Sequence, residues 1–115
     1  MGNWHNFKES IKNADVIGKY DEAVQIGIEE GNPSKAKLFL LEQLEKKPKS
    51  AGLLFTMAII LEELEDYDNA LEYYDRYLAI KPENSEGICN KARILIDELD
   101  EFDEGLKTLE LITVD

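Results

Sequence analysis

Apolar residues recur along this chain at intervals of three and four, the spacing that lines one face of an α-helix. Trp4, Phe7, Ile11 and Ala14 make the first such stripe. It predicts a short helix within residues 1–16, with a frayed arm as the competing reading for a chain terminus. From Lys19 to Glu30 the apolar positions are Tyr20, Ala23, Val24, Ile26 and Ile28, and the segment stops at Gly31-Asn32-Pro33. Gly suits the end of a helix and Pro the start of the next. Pro33 to Lys47 predicts a second helix with Ala36, Leu40, Leu41 and Leu44 on one face and two lysines in its last turn, where cations complement the helix dipole. Ala51 to Leu64 predicts a third, apolar nearly all round and so packed on several sides. Asp66 to Ile80 predicts a fourth, with Tyr67, Ala70, Leu71, Tyr74, Tyr77 and Leu78 inward. Ser85 to Leu99 and Phe102 to Thr113 complete the series. No stretch alternates long enough to predict a strand, and the pattern is that of an all-α protein.

The helices form a periodic series. At a shift of 34 residues Ala36 recurs as Ala70, Leu40 as Tyr74, Leu44 as Leu78 and Pro48 as Pro82. Val24 recurs as Ala58 and Ala92, and Leu61 as Leu95. Beyond Leu64 the shift becomes 35, pairing Leu64 with Leu99, Tyr67 with Phe102, Ala70 with Gly105 and Tyr74 with Leu109. One residue is therefore inserted in the last unit, near Ile96 to Leu99. Helix pairs repeated at this length mark a solenoid, in which each unit buries its apolar face against the next.

The stretch 51–84 resembles a tetratricopeptide repeat, whose pattern runs W-x2-L-G-x2-Y, then A-x3-F, then P. Leu54 stands at the Trp, Met57-Ala58 at the Leu-Gly, Leu61 at the Tyr, Ala70 and Tyr74 at the Ala and Phe, and Pro82 at the Pro. Asp66-Tyr67-Asp68-Asn69-Ala70 is close to the family's turn between helices. Ala58 and Ala70 are small enough for the two helices to approach closely, and Pro82 cannot continue the helix it follows. The resemblance implies a right-handed α-solenoid of antiparallel helix pairs. Residues 17–115 would form a single array of units 17–50, 51–84 and 85–115. Gly27, Gly105 and the inserted residue depart from the pattern. Gly18-Lys19-Tyr20-Asp21-Glu22-Ala23 also resembles the turn, but a unit over 4–30 would break the alternation set by Pro48 and Pro82.

The resemblance further implies a non-catalytic scaffold without cofactor, holding a partner protein segment in a concave groove lined by the first helix of each unit. The groove positions are Asp21, Gln25, Ile28, Phe55, Ile59, Glu62, Cys89, Asn90 and Arg93. Some members grip a C-terminal carboxylate with Lys, Asn and Arg. Here those places carry Asp21, Gln25, Thr56, Glu86 and Asn90, which does not suit an anion. What remains is an apolar strip of Phe55, Ile59 and Ile28 edged by acids, matched to an amphipathic helix with basic flanks. No capping helix is visible after the last unit, so self-association through Leu106, Leu109 and Ile112 is the alternative.

Charge sharpens this picture. Residues 1–50 hold 8 Lys against 8 Asp/Glu, whereas residues 51–115 hold 5 Lys/Arg against 17 Asp/Glu, so the net charge of −12 resides entirely in the second part. Such a surface repels phosphate backbones and anionic lipid, excluding nucleic acid and membrane as expected partners, and steers basic partners inward. Solubility is the simpler role for it. With 43% hydrophobic and 33% charged residues, 115 residues suffice for one domain or a short array. No run reaches the roughly 18 apolar residues of a membrane span, and the start lacks a signal-peptide pattern. Cys89 is the only cysteine, which excludes an intrachain disulfide or a Cys-based zinc site; a cytoplasmic location is expected. His5 is the only histidine, so no His-based catalytic or metal set can be assembled. The acidic hinges fail as a calcium loop: Gly105 would put Asp100 first but Phe102 third, and no Glu closes it. Tyr73 and Tyr77, four apart, are expected either to share an outer face or to pack between units.

Overall fold

Two turns of matching composition, Lys47-Pro48-Lys49-Ser50 and Lys81-Pro82-Glu83-Asn84, each end one helix and begin the next. In both, the fourth residue's N–H donates to the lysine carbonyl at 3.1 Å. Its side chain then caps the following helix: Leu53 N–H donates to Ser50 Oγ at 3.3 Å, and Gly87 N–H to Asn84 Oδ1 at 2.8 Å. These oxygens satisfy amide donors that a helix start leaves without carbonyl partners. Asn32 caps in the same way, accepting from the amides of Ser34 and Lys35 ahead of Pro33.

The computed structural model describes residues 8–11 and 32–112, and every regular element among them is helical. We number them α1 (Pro33–Lys46), α2 (Ala51–Glu63), α3 (Tyr67–Ile80), α4 (Ser85–Arg93) and α5 (Phe102–Leu109). A π-helical segment, Ile94–Glu98, continues α4. Residues 8–11 are also helical; Ile11 is buried, and the Lys8 ammonium stands 5.7 Å from the centre of the Phe39 ring. Trp4, Phe7, Ala14 and the segment Lys19–Glu30 lie outside the described residues.

The helices pack in antiparallel pairs arranged in series, the architecture of a tetratricopeptide-like helical repeat. Phe55 of α2 meets Tyr77 of α3, while Glu62, two turns further on, meets Tyr74, nearer the start of α3. Between α3 and α4, Tyr74 meets Asn90 and Asp75 meets Lys91, whereas Tyr77 and Leu78, further along α3, lie against Gly87. The core runs along α2: Leu53, Leu54, Met57, Ala58, Ile60 and Leu61 are each at most 1% exposed. Fully burying each of the large ones is worth about 1.5–3 kcal/mol, so α2 holds the array together. Ala36, Ala58, Ala70 and Ala92, the small residues of the repeat, are all fully buried, as close helix approach requires.

The inserted residue has a specific location. In the middle unit Leu64 N–H donates to Ile60 O and Asp66 N–H to Leu61 O; in the last, Leu99 N–H donates to Ile94 O and Glu101 N–H to Leu95 O. Every loop is longer by one residue, and a π turn absorbs the difference. Both units then reverse through a left-handed residue, Glu65 (φ 60°) and Asp100 (φ 54°). The departure at Gly105 follows from the bulge. A Cβ there would lie 2.4 Å from Ile96 Cγ1, so the residue opposite the π turn has no room for a side chain. The predicted fifth helix is thus α-helical only to Arg93, and the sixth ends at Leu109 rather than Thr113. Leu111 and Ile112 donate to carbonyls only three residues back, which tightens the helix end.

Gly105→Ala is expected to lower stability by about 1–3 kcal/mol through overpacking, even though Ala gains about 1 kcal/mol of helix propensity. Ile96→Ala in the same chain should recover part of the loss in urea denaturation. An unchanged midpoint for Gly105→Ala would show that Ile96 is not pressed against α5.

Candidate partner-binding surface

On α2 two large apolar residues keep partial exposure, Phe55 and Ile59, one turn apart, with Glu62 next on the same face. Phe55 is held edge-on by two rings, with centroids 5.7 Å away for Tyr74 and 4.9 Å for Tyr77. Beside this strip, α4 presents Glu86, Cys89, Asn90 and Arg93, of which Cys89 is an exposed free thiol. Gln25 and Ile28, the predicted groove residues of the first unit, lie outside the described residues.

Glu62, Asn90 and Arg93 converge on a residue assigned only to the core, Tyr74. Its ring is completely buried and its hydroxyl donates to Glu62 Oε2, while Asn90 Nδ2 donates to that hydroxyl at 3.2 Å. Arg93 Nη2 donates to the other Glu62 oxygen. One carboxylate thus ties α2 to α3 and α4 at once. Burial, then the hydrogen bond and charge of Glu62, hold the Tyr74 phenol far above the ordinary tyrosine range of 10.0. Partial burial works to lower the Arg93 pKa, but the bond and charge of Glu62 outweigh it and raise it further. The predicted acid at the groove edge is therefore already engaged; Glu86 on α4 remains exposed there.

Other positions are settled by packing. Thr56 is fully buried, its hydroxyl donating to Gly52 O at 2.8 Å, and so offers nothing to a ligand. Tyr77 does not share an outer face with Tyr73: it is buried against Phe55 and Gly87, and burial with the charge of Glu86 raises its pKa. Tyr73 stays half-buried with the Arg76 guanidinium 4.8 Å from its ring centre. The hub tyrosine had a signal in the chain: its repeat equivalents are Leu40 and Leu109, so only the middle unit puts a polar tip at that core place.

A series of helix pairs held unit to unit in this way is a helical-repeat scaffold. Residues 51–84, which build α2, the reversal and α3, match the model of the family described as Tetratricopeptide repeat. The chain is also 30% identical over 94 residues to a TPR repeat-containing protein of Methanocaldococcus jannaschii, an alignment covering 77% of this chain and 29% of that relative's length. The chain belongs to the tetratricopeptide-repeat family, whose repeats generally mediate protein–protein interaction and are generally non-catalytic. Among the described residues no helix is long and apolar enough to cross a membrane.

Tyr74→Phe is expected to cost about 1.5–3 kcal/mol, the range for a hydrogen bond to a charged group, because it strips a partner from a partly buried carboxylate. The raised phenol pKa carries its own sign. Its contribution to stability is fully present below pH 10.0, the unperturbed value, and is lost as pH climbs from there toward the folded-state pKa. An ultraviolet titration should show one of the five tyrosines resisting ionisation until the chain unfolds, and that resistant step should vanish in Tyr74→Phe.

Proposed function

We propose that this protein is a non-catalytic interaction scaffold that binds an amphipathic, basic segment of a partner protein along the face formed by α2 and α4. The observation that carries this reading is the exposure of Phe55 and Ile59 on a helix whose other large apolar side chains are buried almost completely. Rings that stay at a surface, backed by rigid neighbours, are the anchors that protein interfaces favour. Tyr74 and Tyr77 fix the Phe55 ring from behind, so little side-chain entropy is lost when a partner covers it. Glu86 supplies free negative charge beside the strip and the Glu62–Arg93 pair closes it, with Cys89 and Asn90 between. The net charge of −12 favours a basic partner through long-range attraction. In this reading the groove continues through Gln25 and Ile28 of a first unit, and residues 17–115 form one array.

An array of basic amphipathic peptides, probed with the full chain, tests the proposal. Phe55→Asp should weaken the best binders by roughly 30-fold or more, as for an interface anchor, while Tyr73→Ala retains them. Circular dichroism on Phe55→Asp must show an intact fold. Undiminished binding by a folded Phe55→Asp protein would sink the groove reading.

A further inference from the structure

The two reversals of the array lead into helices of equal register but unequal cover. On α3 the stripe Tyr67, Leu71, Tyr74 and Leu78 is the face along which the next helix lies. Leu78 is against Gly87, Tyr74 against Asn90, and Tyr67 beside Glu98. The shift of 35 carries the first three of these onto Phe102, Leu106 and Leu109 of α5. There they are 55%, 57% and 37% exposed, and Leu111 just beyond is 59% exposed. Gly105 and Thr108 are the buried residues of α5, so the helix is seated by its small side and turns its large apolar residues outward. The α3 stripe with its α4 in place is an internal template for what the α5 stripe lacks.

The template also specifies chemistry. In the seated pair Ile88 and Ala92 of α4 are buried, preceded by Gly87, where a Cβ would come within 2.8 Å of the Tyr77 ring. Between them Lys91 Nζ reaches Asp75 Oδ1 at 2.7 Å. The same shift takes Asp75 to Glu110, so an acid waits on α5 where α3 holds the lysine of its neighbour. Around the stripe, residues 94–112 carry Asp97, Glu98, Asp100, Glu101, Asp103, Glu104 and Glu110 against the single Lys107. A second copy would bring the same acids into contact and be repelled.

We infer that the α5 face, Phe102, Leu106 and Leu109 with Glu110 at its edge, is a second docking surface. Its occupant is an amphipathic helix of another protein, with small or apolar residues at i and i+4 and Lys or Arg at i+3. This surface is separate from the α2–α4 groove, and either can fail without the other.

The test uses the full chain and a fluorescent, alanine-rich synthetic helix of about 18 residues, long enough to hold helical structure alone. It carries Ile and Ala at i and i+4 and Lys at i+3, and a twin carries Glu in place of Lys. Anisotropy should show the Lys helix binding and Leu106→Glu weakening it about tenfold or more. Glu110→Lys should weaken it roughly two- to fivefold, the range of an exposed ion pair, while improving the Glu twin. Both positions are exposed, and circular dichroism confirms that the variants fold. No binding, or binding indifferent to Leu106→Glu, overturns the inference. So does binding that falls with Phe55→Asp instead, which would place the peptide in the groove. Sedimentation showing a dimer that Leu106→Glu dissolves would assign the stripe to a second copy and overturn it equally.

Discussion

A tyrosine can be buried completely only if its hydroxyl finds partners, and the placement of Tyr74 organises the described array around that requirement. Its ring fills the space between α2 and α3. Its hydroxyl emerges at the one point where a carboxylate of α2 and an amide of α4 meet. The carboxylate is kept charged in partial burial because Arg93 shares it. Remove the phenol oxygen and Glu62 loses the partner that offsets its desolvation; replace Glu62 and both Tyr74 and Arg93 must find others. Unit-to-unit packing in a repeat is mostly apolar and tolerant of sliding, whereas hydrogen-bonded geometry is not. The polar triad therefore fixes how the last unit sits on the middle one, and with it the shape of the face carrying Phe55 and Ile59.

The same constraint explains the unevenness of the array. The middle unit is regular because it is packed on both sides. The last unit carries an extra residue, which a helix accommodates by widening one turn, and the widened turn thrusts Ile96 toward α5. Glycine at 105 is the local answer, since an alanine like Ala70 would collide there. Insertion and glycine are thus one feature in two places. α5 is seated close by that glycine, and its large apolar side chains, with nothing beyond them among the described residues, remain in solvent.

Much of this was legible in the chain. The shift of 34, the step to 35, the alanines at helix crossings and the turns at Pro48 and Pro82 together specified the helix series. Each reflects a local rule: apolar period, side-chain size, capping chemistry or the missing amide of proline. The groove side of α2 was legible too, because Phe55, Ile59 and Glu62 share a helical face whatever surrounds them. Less visible was the fate of each polar group. Glu62 reads as a free acid until Arg93, 31 residues away, is brought beside it. Thr56 reads as a groove position until α2 is packed round it. Tyr73 and Tyr77 read as a pair, yet only Tyr77 faces Phe55 and the backbone at Gly87.

The sequence by itself determined what recurs: helices, their caps and reversals, and the repeat that identifies the family, all products of spacing within a few turns of chain. Only the tertiary structure decided which side chains are spent and which are offered. Whether a carboxylate, a phenol or an apolar stripe remains available depends on the distance to groups tens of residues away, and packing sets that distance. Hence Tyr74 became the hub rather than simple filling, Gly105 a necessity rather than a lapse, and the α5 face an open counterpart of the covered face on α3.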